Sequence, residues 1–177
     1  YSYAKSPDEA RAEAKVFIDI IRGKQFEYPV YFDVEEGSVL RLGANAVSNI
    51  ISAFCDEMEK AGYFVGLYMS ASPLTTYVTQ AVRDRYAIWV AHYGVSKPSY
   101  SGQYGMWQYS SAGHVGGING NVDMDECYVD YPPQYSGGVL TVSKDGGNDR
   151  LNEIDQHIRE QTHQHGKKRQ HQHGNPH

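Results

Sequence analysis

Pro29-Val30-Tyr31-Phe32-Asp33-Val34-Glu35 is the stretch that decides the fold. Its β-branched and aromatic residues, over the length of an ordinary strand, predict an extended segment. Side chains alternate along a strand, so Val30, Phe32 and Val34 form one wholly apolar face, while Tyr31, Asp33 and Glu35 share the other. In an open sheet covered by helices on both sides, that second face would bury two carboxylates at high cost. A barrel gives the same face a place in its interior near the C-terminal mouth, where polar groups are tolerated.

Upstream, Ser6-Pro7-Asp8-Glu9 reads as a helix start: Ser6 as N-cap, Pro7 at the first helical position and Glu9 completing a capping box. Ala10, Ala14, Phe17, Ile18 and Ile21 follow at helical spacing, and Gly23 ends the run. Downstream, Val47, Ile50, Ile51, Phe54, Met58 and Ala61 mark a second amphipathic helix, with Cys55 beside its apolar face. Tyr63 to Met69 reads as a strand, SPLTTYVTQAV as one shorter helix, and Tyr86 to Tyr93 as another strand. Met106 to Ser111 and Val122 to Tyr128 read as two further strands around the Gly-rich SAGHVGGING turn. Alternating helices and strands that end in three successive strands argue for an α/β fold with parallel strands, either doubly wound or a modified β/α barrel with fewer helices in its second half. The parity of residues 30–35 favours the barrel.

All 22 aromatic residues lie between Tyr1 and Tyr135, and the 42 residues beyond are Gly- and His-rich, with six of the eight histidines. Such a segment buries too little to offset its ordering entropy. The expected organisation is a domain over 1–135 and a mostly disordered tail over 136–177, with at most a short helix from Asp149 to Thr162. The domain carries 10 basic and 16 acidic side chains, which argues against the basic surface that nucleic acids require. No apolar run approaches the roughly 20 residues of a membrane span, and the start lacks a signal-peptide pattern. Cys55 and Cys127 are too few for a disulfide scaffold and are expected to be buried thiols. Fifteen tyrosines suit a groove for a polar, ring-shaped ligand such as a sugar, the alternative for each being a half-buried strand residue.

Asp33 and Glu35 stand at the C-terminal end of their strand with origins roughly 6.5 to 7 Å apart, near enough for each to raise the other's proton affinity. One acid kept protonated beside one anion is what glycosidic bond cleavage needs. Asp123, sharing a strand face with Asp125, is a third candidate. On spacing alone, strand-end acids also cap helices or face solvent, and a Mg²⁺ or Ca²⁺ held by Asp33, Glu35 and Asp123 stays open. The chain has no GxSxG elbow, Gly-rich phosphate loop or HExxH motif, so serine hydrolase, nucleotide and zinc protease readings have no foothold.

YSYA (Tyr1 to Ala4), PVYFDVE (Pro29 to Glu35), GYFVGLYMS (Gly62 to Ser70), IWVAHYG (Ile88 to Gly94), MWQYSSAG (Met106 to Gly113) and GINGNVDMDECY (Gly117 to Tyr128), in that order, resemble glycoside hydrolase family 25, the Chalaropsis-type lysozymes or N-acetylmuramidases. The resemblance covers about residues 1–130. It implies a modified, TIM-like β/α barrel that cuts the β-1,4 bond between N-acetylmuramic acid and N-acetylglucosamine in peptidoglycan, outside the cell or in the cell wall, without metal or organic cofactor. By the same resemblance Glu35 is the general acid. Asp33 orients the substrate's N-acetyl group for neighbouring attack, and Asp123 is a further active-site acid. Tyr3, Tyr68, Trp89, Tyr93, Trp107, Gln108 and His92 then line the substrate groove. Family members carry two strands and most of a third ahead of the YSYA segment, with another aspartate, so the barrel is expected to be incomplete at its N-terminus. The rival expectations are a non-catalytic glycan-binding barrel fragment and a chitin-cleaving barrel. The latter is disfavoured because Tyr31, not an acid, stands two residues before Asp33.

Overall fold

A computed structural model describes residues 1–131. The expected tail over 136–177, and the short helix within it, lie outside the described residues.

Helix α1 runs Pro7–Ile21 with Ser6 as N-cap, its side chain accepting from Glu9 N at 3.2 Å. The capping box is displaced by one residue: Glu9 Oε2 accepts from Lys5 N at 2.7 Å rather than from the N-cap amide. Strand β1 covers Val30–Asp33 and the short helix α2 covers Gly37–Leu40. The stretch after Glu35 is therefore helical, with Glu36 as its N-cap. Helix α3, Ala44–Lys60, buries Val47, Ile50, Ile51, Phe54, Cys55 and Met58. Ala61, expected on that face, is instead the exposed C-cap.

Strand β2 is Val65–Ser70. The next helix is two: α4, Ala71–Tyr77, and α5, Gln80–Arg85, separated by extended Val78 and Thr79. The apolar spacing does not reveal this break. Arg83 stabilises it by donating through Nη1 to the carbonyls of Leu74, Thr75 and Val78 at 3.2, 3.0 and 2.7 Å, satisfying helix-end acceptors that have no partner within α4. Strands β3 (Ala87–Ala91), β4 (Met106–Gly113) and β5 (Val122–Cys127) follow.

The sheet has the order β1-β2-β3-β4-β5. The first four strands are parallel and β5 is antiparallel to β4, with bulges between Gln108 and Gly113. Antiparallel pairing here needs only the turn after β4, whereas a parallel β5 would require a long crossover. One face carries Val30, Phe32, Leu67, Met69, Ile88 and Val90, all buried in the core with α1 and α3. Phe32 stacks on Phe54 of α3 with ring centroids 3.9 Å apart. The other face carries the polar and aromatic residues, which is the alternation expected of residues 30–35.

Candidate active site

Strand register builds the site. Asp33 pairs with Tyr68, Tyr68 with Trp89, Ala91 with Gln108, and Gln108 with Asp125. Side chains of paired residues share a face, so this row sets Tyr31, Asp33, Tyr68, Trp89, Gln108 and Asp125 along one surface crossing all five strands. Trp89 is its aromatic centre, meeting the rings of Tyr31 and Tyr68 edge-on at 5.2 and 4.7 Å. Its indole Nε1 donates to Asp125 Oδ1 at 2.8 Å. Tyr31 fits because residue 66 is glycine: a Cβ there would lie 2.6 Å from both the Ala87 carbonyl oxygen and the Tyr31 ring.

Three neighbouring carboxylates occupy three environments. Asp33 ends β1, half-buried, and its Oδ1 is buried without a hydrogen-bond partner among the described residues. Burial, and then the charge of Glu35, push its carboxyl above the usual aspartate range. Glu35, two residues on and past the strand, takes a 2.8 Å hydrogen bond on Oε1 from Ser70 Oγ at the end of β2. Glu36 accepts from Ser38 N at 3.0 Å, and that backbone bond is the main cause holding its carboxyl below the usual range. It is the helix cap, so the spacing-based alternative of a capping acid applies to Glu36 and not to Asp33 or Glu35.

The groove candidates separate. Tyr68 and Tyr93 both donate their hydroxyls to Gln108 Oε1, the former at 2.7 Å. His92 Nδ1 accepts from Ser99 N at 3.0 Å, so the neutral ring carries its proton on Nε2. His92 and Tyr93 line a cavity of about 240 Å³ that Ser70 also borders. Trp107 does not belong to this surface: β4 alternation turns it to the core face, where it is 7% exposed and donates through Nε1 to His92 O at 2.9 Å. Tyr3 is 63% exposed and its ring centroid lies 5.5 Å from that of Tyr1, whose phenol is pushed up by burial and then by the charges of Glu35 and Asp33. Asp123 is exposed near Asp125, and it is Asp125 that holds Trp89.

Sequence reasoning missed Ser70 and Asp125. Ser70 had a signal, standing two residues after Tyr68 on the same face of β2, but only the β1–β2 pairing shows that it reaches Glu35. A second cavity, of about 470 Å³, borders Asp33 on the opposite side from β2, between α1 and β1. Among the described residues no cluster of three or more His, Cys, Asp or Glu side chains is arranged to hold a metal ion, so Asp33, Glu35 and Asp123 do not assemble as a ligand set. Among the same residues, no helix is long and apolar enough to cross a membrane.

The sequence profile described as Glycosyl hydrolases family 25 matches residues 1–118, more than half of the chain. The chain belongs to glycosyl hydrolases family 25. This family-25 chain is 31% identical over 164 residues to the autolytic lysozyme of Clostridium acetobutylicum, an alignment covering 89% of this chain and 47% of that protein. Among solved structures it is similar to the CTP1L endolysin, with a TM-score of 0.63 at 25% identity over 75% of this chain and 46% of that one. It is also similar to the modular autolysin LytC of Streptococcus pneumoniae, solved with a synthetic peptidoglycan ligand. There the TM-score is 0.59 at 30% identity, over 71% of this chain and 32% of that one. The family-25 chain thus spans about half the length of the curated relatives it matches, and its five strands form a half-barrel of the family fold.

Proposed function

We propose that this chain carries the catalytic carboxylates of a muramidase that hydrolyses the β-1,4 bond between N-acetylmuramic acid and N-acetylglucosamine in bacterial peptidoglycan, acting extracellularly or at the cell wall. The observation that carries the reading is the placement of Asp33 and Glu35 at the C-terminal end of β1, beside an aromatic wall of Tyr68 and Trp89. Aromatic faces suit sugar rings, and paired acids suit glycosidic cleavage.

In this reading Glu35 gives its proton to the glycosidic oxygen as the C1–O4 bond breaks, and the bonding pair leaves with that oxygen. The carbonyl oxygen of the substrate's own N-acetyl group closes on C1. As it does so, its amide N–H turns strongly acidic and donates to the Asp33 carboxylate, whose Oδ1 has no hydrogen-bond partner among the described residues. The raised proton affinity of Asp33 suits it to that charge. Water then adds at C1, returning its proton to Glu35, and the N-acetyl group is restored. The relatives' names support the substrate class: one is an autolytic lysozyme and another was solved with a peptidoglycan ligand.

The bond is tested by digesting purified peptidoglycan, reducing the new ends with borohydride and identifying the reduced sugar by mass spectrometry. Reduced N-acetylmuramic acid is the expected product. Reduced N-acetylglucosamine would overturn the bond assignment. Binding to cell walls without any new reducing end would favour a glycan-binding module.

A further inference from the structure

Gln108 is matched by resemblance to a groove position, yet its residue is only 2% exposed. Strand pairing fixes it from both sides, with Ala91 and Asp125 as register partners and its carbonyl accepting from His92 N at 3.0 Å. Its side-chain oxygen receives two hydroxyls, Tyr68 at 2.7 Å and Tyr93. An amide oxygen has two lone pairs, so these two donors fill it. A phenol has one hydrogen, so with both hydroxyls donating to the amide each oxygen offers only lone pairs, and the two hydroxyls also lie within hydrogen-bonding reach of each other.

Tyr93 is 45% exposed and lines the 240 Å³ cavity that Ser70 borders. Tyr68 lies against Trp89 in the row that contains Asp33. Burial, and then the charge of Glu35, push the Tyr68 phenol well above its ordinary range, so its proton stays in place.

We infer that Gln108 is a positioning residue that locks Tyr68 and Tyr93 as hydrogen-bond acceptors toward the groove, so that this wall selects ligand groups that donate. In a glycan those groups are sugar hydroxyls and acetamido N–H, while a carboxylate is disfavoured. The identity of the ligand rests on the muramidase reading; the lock on the two hydroxyls does not.

The test compares wild type with Gln108→Met, which keeps the size of the side chain but removes the amide, and with Gln108→Glu, which keeps an acceptor oxygen. The first readout is the Raman tyrosine doublet, whose intensity ratio reports whether a phenol donates or accepts. The second is binding of tri-N-acetylchitotriose by calorimetry. Gln108→Met is expected to lose the donor signature of two tyrosines and about tenfold in affinity, the scale of one hydrogen bond, with Gln108→Glu restoring both. Tyr93→Phe, at an exposed position, is expected to lose affinity by about threefold or more, which covers the case of a misfolded Gln108→Met. An unchanged doublet in a folded Gln108→Met, or unchanged affinity in both Gln108→Met and Tyr93→Phe, would overturn the inference. If wild type does not bind the trimer, the glycan reading fails, and the doublet alone decides whether the lock exists.

Discussion

Ser70 Oγ donates to Glu35 Oε1 at 2.8 Å, joining the end of β2 to the acid that follows β1. The bond occupies one carboxyl oxygen and, in the proposed mechanism, leaves Oε2 to carry and deliver the proton. Ser70→Ala frees the Glu35 side chain to rotate, so kcat on peptidoglycan is expected to fall about tenfold, as for loss of one positioning contact, while KM changes little. Ser70→Thr, which keeps the hydroxyl, is expected to recover most of the rate.

Asp33 supplies a pH test. Its carboxyl titrates above the usual range in the folded protein, so the folded state binds the proton more tightly than the unfolded chain does. The anionic form therefore destabilises the fold above the raised native value. That penalty is relieved as pH falls through it toward the unfolded value of about 3.9. Asp33→Asn is expected to raise Tm near neutral pH, with the advantage shrinking to nothing in acid, as followed by thermal melts across pH. A constant difference between variant and wild type at every pH would contradict the assignment of the shift to this group.

Gly66 has no room for a side chain. A Cβ would lie 2.6 Å from the Ala87 carbonyl oxygen, which is backbone and cannot swing aside. Gly66→Ala is expected to destabilise by about 1–3 kcal/mol through overpacking between β2 and β3, measured by urea unfolding. It also displaces the Tyr31 ring from Trp89, so tryptophan fluorescence is expected to shift in the folded variant.

The two cysteines differ in a way the sequence reading did not separate. Cys55 is buried in α3, and burial pushes its thiol well above the ordinary value. Cys127 is exposed on β5, the last strand of the sheet, contrary to the expectation that both are buried. A thiol reagent is expected to modify Cys127 in the native protein and Cys55 only after unfolding, as peptide mapping would show.

The fold was legible where one local pattern has one physical outcome. Residues 30–35 alternate so cleanly that the polar face of β1 follows from covalent geometry, and Ser6-Pro7 marks its helix because the cap and the ring fix the same turn. Pairing between distant strands is not written in any one segment. MWQYSS mixes aromatic and polar residues on both faces, so its absolute parity was open, and only the β3–β4 register sends Trp107 to the core and Gln108 to the site. For the same reason neither Ser70 nor Asp125 stood out as a site candidate: each acts on a residue of another strand, Glu35 and Trp89. The break between α4 and α5 depends on the reach of Arg83 across the turn, which apolar spacing does not encode.

The central claim is that Glu35 protonates the glycosidic oxygen with Asp33 beside it. The most direct measurement is the release of reducing ends from purified peptidoglycan by wild type and by Glu35→Gln under the same conditions. Release by wild type with a loss of at least about a hundredfold in the variant, the usual scale for removing a general acid, is the predicted result. Equal release by the two proteins would contradict it.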